Sequence, residues 1–454
     1  MRALFGVLSA LALSKVGNAI VMVAVPLFVL ERTGSAAATG VAGMFSTLPV
    51  VVGGVLGAPL VDRFGSRVSS VVADSLSAVC VIAVPILAMM DALPFGLLLA
   101  LVFLGGIFDT PGDTAKTVVL PELGERRGWT LDRVTGTSSA IQRSSALAGS
   151  AVAGFGVAVV GAGNVLFLTA SMCAGAVLLI AVSLPARRES DRAARAATVF
   201  PAENAAAPAP APGTPRLIAP DAAENAPAAA AAENAPAAAA ADTRGFWFGL
   251  TFLWRTPILR ALILLILVTN AIDSANLTVV MPIWATGVSA TGALFGFMVG
   301  CFSAGALVGA ALFPLVAARL PRRRFLVIAL ALAGPPPFVA MLVGAPPVVV
   351  LGVLFCAGLA AGAINPILQS TLFRQIPVDA RARVFGATTA VAASAMPLGS
   401  LLGGTGVALW GLSPVLIGAA LLYVLLALVP AFGSVWRGLE RDVVNGPERA
   451  PMPS

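Results

Sequence analysis

The sequence predicts an all-α membrane protein of twelve transmembrane helices, arranged as two parallel six-helix repeats. Three observations carry this. Of the 454 residues 58% are hydrophobic and 11% charged, with a mean hydropathy of +0.96, whereas a soluble domain carries about a quarter charged residues. Four stretches, 144–186, 274–318, 325–373 and 384–435, contain no charged residue. Each is too long for one membrane helix of ~20 residues and suits two helices joined by an uncharged turn. Finally, landmarks of the first half recur in the second at one offset: Pro26 and Pro282, Pro121 and Pro377, and Arg63 and Arg319 are each 256 apart, and Pro111 and Pro366 are 255 apart.

The elements follow in order. Gly/Pro punctuation at 161–164, 285–292, 344–347 and 411–414 divides the four long stretches. Charged or turn-forming segments at 31–37, 62–67, 91–94 and 116–133 divide the first third. The predicted spans are 4–30, 38–61, 68–90, 94–115, 135–160, 164–184, 258–284, 292–317, 325–343, 348–372, 384–409 and 414–434. Between the sixth and seventh the composition changes abruptly. Ala-Ala-Glu-Asn-Ala-Pro-Ala-Ala-Ala occurs twice in succession, at 222–230 and 231–239, behind Pro208, Pro210, Pro212 and Pro215. Such a stretch reads as a disordered tether. The domain plan is therefore an N-terminal half over 1–185, a linker over 186–244, a C-terminal half over 245–436 and a tail over 437–454. The aromatics and arginine of 246–255 suit a short helix lying in the membrane interface ahead of the seventh span.

Orientation follows from lysine and arginine. With the N-terminus inside, 25 of the 28 cations fall in cytoplasmic segments, Arg32 falls outside, and Lys15 and Arg143 fall within spans. The positive-inside rule then places both termini and the linker in the cytoplasm. The apolar N-terminal run continues for a full span without a small-residue cleavage site, which argues against a signal peptide.

Composition excludes several chemistries. There is no histidine, which removes His-based acid–base triads and most zinc sites. Cys80, Cys173, Cys301 and Cys356 are scattered singly, so no disulfide framework or CxxC metal site is expected, and they read as small buried hydrophobes. No G-x-x-x-x-G-K-[ST] loop occurs, so the chain is not its own ATPase. No enzyme activity, cofactor, metal or nucleic-acid partner is expected; the net charge of +7 belongs to the membrane-facing loops.

The fifth and eleventh predicted spans carry Gly149-Ser150-Ala-Val-Ala-Gly154 and Gly399-Ser400-Leu-Leu-Gly403-Gly404. These glycines permit close, slidable helix packing. The segment Ala58-Pro-Leu-Val-Asp62-Arg63-Phe-Gly65-Ser66-Arg67 resembles the signature loop G-x-L-a-D-R-x-G-R-[KR] of the major facilitator superfamily, with Ala58 and Ser66 departing from it. The resemblance covers nearly the whole chain outside the linker and tail and implies the major facilitator fold. It implies that Asp62 and Arg63, with Gly65 and Arg67, latch the cytoplasmic side in the outward-facing state. Pro111-Gly-Asp-Thr-Ala-Lys116 through Leu123, Asn365-Pro366, and Ile376-Pro-Val-Asp-Ala-Arg381-Ala-Arg383 through Gly386 are similar to the macrolide and enterobactin exporter branch. Gly-Ser-x-x-Ala-Gly in the fifth span also resembles the glycine-rich antiporter motif, with Ser150 where proline is usual.

Polar residues kept inside apolar spans are costly in lipid unless paired or facing water. Lys15, Asn18 and Met22 share one face of the first span, and Asp109, Asp113 and Lys116 share one face of the fourth. Asn270, Asp273 and Asn276 step by three along the seventh, and Asn365 and Gln369 are i, i+4 on the tenth. By resemblance these four spans line the transport cavity. Lys15, Asn18 and Asp273 lie roughly 15 to 23 Å from the cytoplasmic edge. Asp273 is the first proton-carrying candidate and Asp109 the second, with Lys15 as countercharge to one of them. Asp74 reads as a structural partner, and Arg143 as a partner of Asp109 in an inner gate.

The expected function is secondary transport: proton-coupled export of a hydrophobic or amphipathic small molecule such as an antibiotic, by a monomer in the lipid bilayer. Export of siderophores or lysolipids, uptake of a metabolite, and a non-transporting receptor or scaffold on the same fold are the alternatives.

Overall fold

The computed structural model describes residues 2–184, 243–289, 292–317, 321–376, 380–432 and 435–436. The predicted linker and tail lie outside the described residues, apart from the linker's last two. Every regular element among the described residues is a helix. Twelve of the spans they form are long and apolar enough to cross a membrane.

The first six spans are Arg2–Thr33, Ala36–Phe64, Ser66–Met89, Phe95–Glu125, Leu131–Val160 and Ala162–Ser183. A separate short helix, Thr243–Arg255, precedes the second half. The seventh span is Pro257–Ala275 continued by a π-helical turn, Asn276–Val280, and by Met281–Val288. The eighth is Ala293–Ala317, and the ninth is Arg322–Ala333 followed by Pro335–Leu342. Pro347–Gln375, Arg381–Trp410 and Leu412–Phe432 complete the twelve.

Several helices outrun the predicted boundaries. The second span continues through the predicted 62–67 turn until a single residue, Gly65, reverses the chain at φ 81°. Gly161 and Gly411 do the same after the fifth and eleventh spans, at φ 84° and 85°. Backbone in this region suits glycine because no Cβ meets the carbonyl. The fourth span runs on to Glu125, well past the predicted end at 115.

Two spans depart from a regular α-helix. Pro282 has no N–H for the carbonyl one turn earlier, and the turn before it widens to π-helical pairing. Gly334 and the run Pro335-Pro336-Pro337 break the ninth span for the same reason.

Packing repeats the sequence duplication. The first span packs on the fifth and sixth, the second on the fourth, and the third on the fourth and sixth. The second half matches several of these, with the seventh span on the eleventh, the eighth on the tenth and the ninth on the tenth and twelfth. The halves meet where the second span packs on the eleventh and the fifth on the eighth. A pair of arginines repeats as well. Arg67 at the start of the third span donates to the carbonyl of Ala181, 2.9 Å away, at the end of the sixth. Arg323, 256 residues later, donates from Nε to Pro430 O at 2.6 Å and from Nη2 to Ala431 O at the end of the twelfth. Each cation satisfies terminal carbonyls and meets the negative end of a helix dipole.

Candidate functional site

A cavity of about 810 Å³ lies between the two halves. Its described walls come from the first, second, fourth, fifth, seventh and eleventh spans, with an extension toward the third and sixth. The charged residues among them are Lys15, Asp109, Asp113 and Asp273, three acids against one lysine. The rest of the wall is largely apolar, with small polar contributions from Ser46, Thr47, Thr114, Thr117, Gln142 and Thr389.

The cavity is closed at one end by glycines. A Cβ on Gly40 or Gly404 would strike the other's Cα at 2.6 Å, and one on Gly154 would strike Gly296 Cα at 2.8 Å. Gly40 and Gly296 are 256 residues apart, and Gly154 and Gly404 are 250 apart, so one contact is the internal repeat of the other. Both lie at the ends of their spans remote from the N-terminus. Toward the N-terminal end the wall includes exposed Gln142 and half-exposed Val118, and the cavity opens there. Of the glycines predicted to allow sliding, Gly154 and Gly404 lie between the halves. Gly149 instead faces Val16 and Ala19 of its own half, and Gly399 and Gly403 face Ala271 and Ala275 of theirs. Gly40 and Gly296 are partners that the sequence reading missed.

The charged groups form a chain through the first half. Lys15 Nζ lies 2.5 Å from Asp113 Oδ2, and Lys116 Nζ lies 3.7 Å from Asp113 Oδ1 and 2.9 Å from Asp74 Oδ1. Lys116 also donates to Ser14 Oγ at 2.6 Å, and Ser70 donates to Asp74 Oδ2 at 3.4 Å. Lys116 and Asp74 are buried at 1% exposure. Ions taken this far from water persist when they are paired and hydrogen-bonded. Asn18 donates to Asp109 Oδ2 at 2.5 Å.

Lys15 is thus the countercharge of Asp113, not of Asp109 or Asp273, because Asp113 is the acid one turn along the fourth span that its ammonium reaches. Asp74 is buried, and its cation is Lys116. Arg143 is exposed and forms no ion pair with Asp109, whose bond comes from Asn18.

In the second half Asp273 faces the cavity and accepts a hydrogen bond from the hydroxyl of Tyr423, in the twelfth span. Tyr423 fits because Gly334 has no side chain: a Cβ there would collide with the tyrosine ring. Phe338 packs beside the same ring, with centroids 5.9 Å apart. Asn270 lines the cavity while donating to Ala392 O of the eleventh span at 3.0 Å. Met22 lines it and is 44% exposed.

Asn276 does not line the cavity. It opens the π-helical turn, and its buried side-chain oxygen has no donor among the described residues. Asn365 and Gln369 lie on the tenth span, and their side chains lie outside the described residues, as does that of Asp62. Arg63 is exposed, its guanidinium 5.5 Å from the centroid of the Phe64 ring. Of the cysteines, Cys80 and Cys173 are buried as expected, Cys301 is intermediate, and Cys356 is exposed on the bundle's surface.

A family model described as Major Facilitator Superfamily matches residues 7–271 and 263–451. The chain belongs to the major facilitator superfamily. It is a membrane transporter of twelve spans, and the recognition drawn from the signature loop holds. A curated relative, the multidrug efflux pump Tap of Mycolicibacterium fortuitum, is 30% identical over 423 residues, 92% of each chain. The multidrug efflux pump Tap of Mycobacterium tuberculosis is 30% identical over 405 residues, 88% of this chain and 86% of that one. Among solved structures, the nucleoside transporter NupG superposes with a TM-score of 0.70 at 12% identity, covering 95% of this chain and 98% of that chain. At that identity the likeness speaks for the fold alone.

Proposed function

We propose that this superfamily member is an efflux pump of the bacterial inner membrane, exporting hydrophobic or amphipathic small molecules by proton-coupled alternating access. The observation that carries the reading is the cavity between the halves. It is sealed by paired glycines at one end and open at the other, apolar over most of its wall, and supplied with acids that can exchange protons. The kinship to two multidrug efflux pumps over most of the chain supports export of drugs.

The lysine and arginine distribution supports a cytoplasmic location for both termini. The open end of the cavity then faces the cytoplasm, where an exporter loads. Proton exchange is assigned to Asp273 with Tyr423 as its donor, and to Asp109 with Asn18. The Lys15–Asp113 pair serves as a charge that can be released when cargo or a proton arrives. Met22 and Asn270 contribute to cargo contact, and Arg63, Gly65 and Arg67 to the cytoplasmic latch. Asn365 and Gln369 retain the cargo role that the tenth span's position suggests.

The test is growth of a bacterial host stripped of its own drug pumps, expressing the native chain or Asp273→Asn at equal membrane level, across a broad compound panel. Resistance with the native chain that disappears with the variant supports the reading. If neither chain protects while both reach the membrane, drug export fails and uptake or lipid export replaces it.

A further inference from the structure

The helix Thr243–Arg255 has two unlike faces. Gly249 and Leu253, one turn apart, are buried against the eleventh span. A Cβ on Gly249 would meet the carbonyl oxygen of Arg383 at 2.5 Å, so the helix sits directly on the first turn of that span. The opposite face presents Trp247 at 63%, Phe248 at 43% and Trp254 at 53% exposure. Trp247, Thr251 and Trp254 are spaced i, i+4, i+7 and form one exposed stripe.

Beside it Phe248, Phe252 and Arg255 form a second stripe at the same spacing, with the Phe248 and Phe252 rings stacked. The guanidinium of Arg383 lies 4.7 Å over the ring of Phe248. Exposed Arg260 follows at the start of the seventh span. No acid occurs from Thr243 to Ile272, nor from Arg381 to Trp436, so the patch is cationic by sequence as well as by placement. Tryptophan settles at the boundary between acyl chains and headgroups, and arginine near that boundary meets lipid phosphate.

We propose that this helix, with Arg260 and Arg383, forms a binding site for anionic phospholipid headgroups. Trp247 and Trp254 sit at the level of the ester groups, and Arg255, Arg260 and Arg383 hold the phosphates. The site is independent of cargo and direction of transport. Because the helix rests on the eleventh span, which also lines the cavity and seals against the second, the bound lipid holds one end of a moving element.

The experiment uses the full chain reconstituted into phosphatidylcholine vesicles containing a minor fraction of either brominated phosphatidylglycerol or brominated phosphatidylcholine. Tryptophan fluorescence reads how much of each lipid occupies the boundary, and a Trp247→Phe/Trp254→Phe double variant isolates the signal of this helix. Quenching by the anionic lipid is expected at a lower mole fraction than by the zwitterionic one. Its relative affinity should fall by about fivefold for each of Arg255→Gln, Arg260→Gln and Arg383→Gln, following the attraction of a single cation to an anionic surface. Circular dichroism and elution volume establish that each variant is folded. Equal quenching by the two lipids would mean apolar seating alone and overturns the proposal, as does an anionic preference unchanged in the folded triple variant.

Discussion

Gly404 lies so close to Gly40 across the interface of the two halves that a Cβ on either would meet the other's Cα at 2.6 Å. The contact exists in this conformation because neither residue has a side chain, and it must separate when the halves rock to open that end. Leucine at 404 should therefore disfavour the sealed state while leaving each half intact. Overpacking costs about 1–3 kcal/mol, so the sealed population should fall by roughly tenfold relative to the open one. Distances between spin labels on the second and eleventh spans would show this as a shift toward longer separations. Gly399→Leu is the control, since Gly399 packs on Ala271 of its own half and should lower stability without that shift.

The buried pair of Lys116 and Asp74 predicts a non-additive stability pattern. Lys116→Met strands a carboxylate that is 1% exposed, and Asp74→Leu leaves the lysine only Ser14 and the more distant Asp113. Breaking a buried pair costs about 3–5 kcal/mol, while replacing both members with apolar residues of similar size is close to neutral. Thermal unfolding in detergent should show both single variants well below the native chain and the double variant recovering most of the loss.

A different result is expected at the cavity, where Lys15 and Asp113 meet 2.5 Å apart. Both side chains are partly accessible, at 27% and 17% exposure. Lys15→Met should lower thermal stability by only about 1 kcal/mol, as for a partly screened pair, yet abolish drug-driven proton release from everted vesicles. Lys15→Arg should keep part of that activity because it keeps the charge. Wild-type proton release from Lys15→Met vesicles would remove the pair from the transport cycle.

The span count, the twofold repeat and the cavity-lining face of the first and fourth spans were all legible, because each leaves a local periodic mark. Lys15, Asn18, Asp109 and Asp113 are set by helix geometry alone, and the sequence spacing put them on the right faces. Their pairing was not legible, since Lys15 has several acids within reach and the rotation of one helix against another decides between them. The same repeat that aligned the prolines also relates Gly40 to Gly296, and this was the overlooked signal for the interface. Arg143 was misassigned because its depth resembled that of a gate residue, while its direction depends on packing that the sequence does not state. Tyr423 left a weaker trace: it is the sole tyrosine, set in an apolar span, where its hydroxyl must find a partner.

That partner is Asp273, and the fit depends on a third residue. Gly334 makes the notch in which the Tyr423 ring lies, so a methyl at 334 must displace the ring and, with it, the hydroxyl that bonds the acid. Tyr423→Phe removes the donor but keeps the ring, and should cost about 1 kcal/mol of stability, the net worth of a single hydrogen bond. Gly334→Ala keeps the donor but displaces it, and should cost more, by overpacking. If the bond to Asp273 tunes proton exchange, both variants should shift the pH dependence of drug efflux in the same direction despite their unlike effects on stability. Drug accumulation by everted vesicles between about pH 5.5 and 8.5, roughly the range in which a perturbed carboxyl group can titrate, is the measurement. A shift in Gly334→Ala alone would mean that packing of the ninth and twelfth spans, and not the hydrogen bond, governs the step.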